Sequence, residues 1–156
     1  MRNRELNRQL QELKALIKKT NDASAGSIEI QAHWARYICV LASGFIENSL
    51  KEVYSEFVKN ASSKPVSDFS CSVLSKIQNP KTNKFIEIAR KFKVIWADQL
   101  EEYVANDGRK EAIDSIMSNR HLIAHGKNTS ITIVRIKVYI EKSVEVIEFI
   151  EGQCRA

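Results

Sequence analysis

The chain of 156 residues is poor in the residues that break regular structure, with five glycines and two prolines. A turn-rich β protein needs more of both, so their scarcity points to helices. Cysteine is scarce as well. Cys39, Cys71 and Cys154 are odd in number, far apart, and form no CxxC pair. That argues against a disulfide framework and against a cysteine-based zinc site. The expectation is reduced thiols in a cytoplasmic protein. No apolar run approaches the roughly 18 residues of a membrane span. The opening stretch MRNRELNRQLQELK lacks the apolar centre of a secretory signal. A glycine-rich phosphate loop, a GxSxG elbow and internal repeats are also missing, which removes the corresponding nucleotide-binding, hydrolase and solenoid classes. No cofactor is called for.

What is present reads as ordinary helical material, 44% hydrophobic and 28% charged. The length suits one domain over residues 1–156, enough to bury about 68–70% of the unfolded surface. The net charge of +5 is compatible with a nucleic-acid partner without identifying one. Residues 2 to 19 form an amphipathic helix, with Leu6, Leu10, Leu13 and Ile17 on one stripe. It reads as an arm docking on the body; a phosphate-facing or dimerising helix is the alternative. Residues 21 to 27 make a turn, with Asp22, Ser24 and Gly26 as breakers.

A long helix follows over 27–60, striped by Trp34, Ile38, Leu41 and Phe45, with Cys39 as packing and His33 isolated. Residues 61 to 67 are a loop, and 70 to 77 a short helix. Asn79-Pro80 breaks the chain, because a residue before proline avoids the helical region. Lys81 and Lys84 beyond it are available to phosphate. Residues 82 to 104 keep the cleanest helical period, with Phe92 and Trp96 as core. Helices over 109–125 and 132–151 complete the chain, the latter capped by Thr132. The β-branched start of that last segment would also suit a strand. The architecture is all-α: an antiparallel bundle of four to five helices.

The most informative stretch is Ser118-Asn119-Arg120-His121-Leu122-Ile123-Ala124-His125-Gly126, at the end of the penultimate long helix. Ile113, Ile116, Met117 and Ala124 share a face, and Arg120 falls among them. A guanidinium on an apolar stripe is costly unless it is paired or meets another surface. His121 and His125 are one turn apart, and Gly126 marks a helix stop. Three readings fit. The histidines sit at the negative end of the helix and the arginine snorkels. Or the histidines chelate zinc, which needs further ligands. Or the group performs phosphoryl transfer on RNA, the guanidinium holding phosphate and imidazoles moving protons.

Arg120-His121-x-x-x-His125 resembles the Arg-φ-x-x-x-His motif of the HEPN superfamily, φ being a polar residue. The string RHLIAHG is most similar to the RiboL-PSP type of HEPN domain. LSKIQNPKTNKFIEIARKFKVIW resembles that group's NP turn and following helix, and GFIENSLKEV resembles its first core helix. The similarity spans roughly residues 30 to 150. One departure is His121 at φ, where asparagine is more frequent; it leaves open which histidine carries which proton.

The resemblance implies a metal-independent endoribonuclease. The ribose 2′-hydroxyl attacks the adjacent phosphorus, leaving 2′,3′-cyclic phosphate and 5′-hydroxyl ends. Arg120 would clamp the phosphate, with His125 and His121 as proton-transfer groups. Glu47 and Asn119 would support them, and Lys127 would meet RNA. Arg120 and His125 lie roughly 140° apart around a helix, so they do not share a face. Two copies about a two-fold axis could interleave them, which gives the expectation of a homodimer with a composite site. A toxin or defence effector with a cognate antitoxin fits this picture. The other expectation is a non-catalytic HEPN dimer that binds RNA or protein.

Overall fold

The computed structural model describes residues 1–23 and 26–155. Among them are seven helices and no strand: α1 Arg4–Ala23, α2 Ile28–Ala61, α3 Lys64–Ser75, α4 Thr82–Phe92, α5 Val94–Val104, α6 Arg109–Ala124 and α7 Ile133–Gln153. The motif lies at the end of the penultimate helix, as expected.

α2 is the longest element, and α1, α3, α6 and α7 all pack on it. α1 runs against α2, since Asn3 meets Glu56 and Gln9 meets Asn48. It also runs against α7, where the Arg2 N–H donates to Glu151. Leu6, Leu10, Leu13 and Ile17 of α1 are buried as the spacing predicted, so this helix supplies core rather than lying over it. α6 and α7 are antiparallel, pinned at the far end by Arg109 Nε on Glu145 (2.8 Å). Through α1 and α7, the end of α6 therefore lies at the same end of the bundle as the start of α2. Cys39 marks where α2 crosses α6. Its Sγ donates to the Ile116 carbonyl at 3.6 Å, and burial pushes the thiol up to about 12.

Among the described residues the seven helices outnumber the four to five expected of the bundle, and two boundaries differ from expectation. Residues expected as a loop before α3 are partly helical. Pro65 near the start of α3 is pre-set for a first helical turn. The single helix expected over 82–104 is broken at Lys93, which is extended at φ −149° and ψ 131°. The β-branched pair Val94-Ile95 continues a helix poorly, and the break turns α5 onto α7. There Gln153 donates to the Trp96 carbonyl (3.0 Å), and Tyr103 stacks on Phe149 with centroids 4.2 Å apart. Phe92 stacks on Tyr54 at 4.8 Å, and Trp96 meets Phe57 edge-on at 5.2 Å. Trp96 is buried, as expected, while Phe92 is half-buried.

The strand alternative at residues 131 to 140 gives way to α7. The Thr132 side chain caps it by accepting from the Arg135 N–H, and Ile133, Ile136 and Ile140 are buried. The first turn of the chain also runs later than expected, since α1 continues through Asp22 to Ala23. Ser24, expected as a breaker, lies outside the described residues; Gly26 has φ 96°. On α2, Leu41 is exposed and Trp34 half-buried, against the core stripe expected.

If α1 is part of the core, Leu10→Ala lowers the urea midpoint by the equivalent of about 2–5 kcal/mol in one transition. An early, separate loss of helicity in circular dichroism would show α1 to be an independent arm instead.

Candidate active site

The site is built on the last two turns of α6 and the cap that ends it. Ala112, Ile113, Ile116 and Met117 are fully buried, which anchors the helix up to Met117. Beyond that the core contact thins to the half-buried Ile123. Arg120 is half-buried, and Ala124, expected on the buried face, is exposed. Ala124 thus lies past the core in open space, and Arg120 sits at its rim. Among the described residues the Arg120 side chain has no hydrogen-bond or ion-pair partner.

Gly126 ends the helix as predicted. Its φ of 65° is left-handed, which glycine adopts without a Cβ penalty. The Gly126 N–H donates to the Ile123 carbonyl (3.1 Å) and the Lys127 N–H to that of Leu122 (2.9 Å). This pair of bonds satisfies carbonyls that a helix end leaves open. It also fixes His125 as the cap residue one turn beyond His121. The two imidazoles are exposed, with ring centroids 4.4 Å apart and planes inclined by 58°. Lys127 follows, also exposed and with its ammonium free among the described residues.

The chain after the cap is tied back to the helix. Asn119 Nδ2 donates to the Ser115 carbonyl (2.8 Å), while its Oδ1 accepts from the Thr129 hydroxyl. Thr129 Oγ1 in turn accepts from the Ile131 N–H at 3.3 Å. Asn119 thus positions the loop that flanks the histidines.

Glu47 stands away from these groups. Its Oε2 accepts from the Asn79 backbone N–H (2.6 Å), and its Oε1 pairs with Lys51 at 2.8 Å. Asn79 has a left-handed φ of 46° and reaches the Met117 carbonyl with Nδ2 at 3.4 Å. Glu47 therefore acts on α6 through the Asn-Pro turn, three residues before Arg120. A turn further back, Asp114 accepts from the Thr82 N–H (2.8 Å) and caps α4 from the side. The sequence reading found the Asn-Pro break but passed over Asp114. The only available signal was a carboxylate amid the apolar residues of the motif helix.

Arg36 was passed over as well. It lies on α2 one turn ahead of Cys39, and its Nε is buried without a hydrogen-bond partner. The same half of α2 carries a row of exposed or half-buried apolar residues, Ile30, Trp34, Tyr37 and Leu41. Tyr37 packs edge-on to Trp34 at 5.8 Å. His33 is exposed. Among the described residues, no group of three or more His, Cys, Asp or Glu is placed to hold a metal ion, so His121 and His125 lack the further ligands that zinc requires.

The geometry thus offers a free guanidinium, two adjacent imidazoles and a nearby ammonium on one exposed helix end. Such a set can hold a phosphate and exchange protons with its neighbouring oxygens. A family model described as RiboL-PSP-HEPN matches residues 4–156 of the chain. No curated protein and no solved structure matches it.

The supports of the site have separable costs. A Cβ on Gly126 would meet nothing within 4 Å, so Gly126→Ala costs only the left-handed strain, about 1–2 kcal/mol. Glu47→Ala leaves the Asn79 N–H unpaired and costs about 1–3 kcal/mol. Urea denaturation of both variants measures this, and an unchanged midpoint for Glu47→Ala would mean that the clamp on the Asn-Pro turn is idle.

Proposed function

The chain belongs to the RiboL-PSP-HEPN family, a HEPN family generally associated with RNA cleavage and RNA binding. On that premise we propose that it is an endoribonuclease needing no metal ion. The observation that carries the reading is the pair of exposed imidazoles, 4.4 Å apart, beside an arginine free of protein partners. A structural arginine at the rim of a core would be expected to hold a carboxylate or carbonyl; this one is left available.

In the proposed reaction, the ribose 2′-oxygen attacks the adjacent phosphorus and loses its proton to one imidazole. The bond from phosphorus to the 5′-oxygen breaks, and that oxygen takes a proton from a second imidazole. The products carry a 2′,3′-cyclic phosphate and a 5′-hydroxyl. Arg120 holds the non-bridging oxygens and stabilises the charge that grows on them. His125 and His121 are the proton-transfer groups. Lys127 and Arg36 add positive charge for flanking phosphates, which gives affinity without base preference. Asn119 and Glu47 are positioning residues, the first for the loop, the second for α6.

The site is proposed to be completed by a second copy. By regular helical spacing Arg120 and His125 are roughly 140° apart, so one copy does not present them on one face. The exposed row on α2 lies at the same end of the bundle and offers an apolar surface for a second copy. An isologous contact there would bring both arginines and both histidine pairs to one cleft. Cleavage of the cell's own RNA would make the protein a toxin or defence effector, to be held in check by a cognate antitoxin.

The test is cleavage of total cellular RNA by purified protein in excess EDTA, with product ends typed. Arg120→Ala and His125→Ala are each expected to lose about 10²–10⁴-fold in rate with unchanged circular dichroism. Light scattering is expected to give a dimer, weakened by Tyr37→Glu. A well-folded wild type that binds RNA without cutting it would establish a binding module in place of the enzyme. Full activity from a monomer would remove the composite site.

A further inference from the structure

A second surface, unrelated to the motif, lies between α3 and α4. α3 packs chiefly on α2 and leaves its outer face bare. That face is not polar. Val66, Phe69 and Val73 follow one stripe and are 53%, 72% and 49% exposed. Beside it runs a groove of about 340 Å³. Its floor and walls are Phe69 and Val73 from α3, Ile77 from the turn, and Ile88 and Phe92 from α4. An apolar surface of this kind on a soluble domain marks an interaction site. Two helices separated by a groove, one of them lacking a further neighbour, leave the place of a third helix.

The charges around the groove define what fits. Lys76, Lys84 and Lys91 line it, and no carboxylate does. Glu87 stands just outside on α4 and is shared between Lys84 (2.9 Å) and Lys91 (2.8 Å). The Lys76 ammonium has no ion-pair or hydrogen-bond partner among the described residues. Three ammonium groups against one carboxylate call for an acidic ligand. The walls between them are largely aliphatic, which suits branched side chains better than the flat faces of bases.

We propose that the α3–α4 groove docks an acidic amphipathic helix of another protein. Its apolar residues at i, i+3 or i+4, and i+7 fill the groove, and its flanking carboxylates pair with Lys76, Lys84 and Lys91. Electrostatic complementarity sets the sign preference and the rate of encounter.

The probes are two synthetic helical peptides of about 15 residues, both with leucine at those spacings. One has glutamate on its flanks, the other lysine. Amide chemical shifts of the full chain are followed during titration. The acidic peptide is expected to shift residues of α3 and α4, and added salt to weaken it. Phe69→Asp, at an exposed position that leaves the core intact, abolishes the response. Lys76→Glu with Lys91→Glu weakens it at least about tenfold. Arg120→Ala leaves it unchanged, so the result is independent of the ribonuclease reading. Equal binding of the lysine peptide, or no shift with either, overturns the proposal. So does a single-stranded RNA that shifts the same residues more strongly. Self-association lost in Phe69→Asp would assign the groove to a second copy.

Discussion

Everything at the motif depends on the seal of α6 against α2 and α7. Ile113, Ile116 and Met117 lose all contact with water there, and the Cys39 thiol lies against the Ile116 carbonyl. Burying such side chains stabilises by about 1.5–3 kcal/mol each. That fixes the rotation of α6 about its own axis. Once the rotation is fixed, the following residues have no choice of direction. Arg120 emerges at the rim, and His121 and His125 face solvent.

The seal is non-directional, so polar contacts set the fine placement. Three of them grip α6 along its length. Asp114 holds the start of α4, Asn79 bridges Glu47 to the Met117 carbonyl, and Asn119 holds the loop beyond the cap. Each joins positions at least ten residues apart in sequence. The side chains of Arg120 and Lys127 are left without a partner among the described residues, and the rings of His121 and His125 meet each other.

Much of this was legible in the sequence because it rests on local rules. Leucine spacing announced α1, Thr132 the start of α7, and Gly126 the end of α6. The resemblance carried by RHLIAHG pointed to the family and to the position of the motif. What the sequence left unread came from tertiary competition. The stripe through Phe92, Trp96 and Leu100 predicts one straight helix. The break at Lys93 lies where α5 turns towards Gln153 and Phe149, contacts more than forty residues away in sequence. Ala124 and Leu41 have the right spacing for burial but no element lies over them. Glu47 was expected near the arginine, but Asn79 and Lys51 offer it nearer partners.

The two tryptophans divide the molecule optically. Trp96 is enclosed by Phe57 and Phe92, with the Lys93 ammonium 4.6 Å above its ring. Trp34 is half-open, on the apolar row of α2 at the motif end. The emission of the first therefore reports on whether the interior is intact. That of the second reports on what arrives at the motif end. A shift from Trp34 with Trp96 unchanged would separate an encounter at the motif end from any loosening of the fold, without a label.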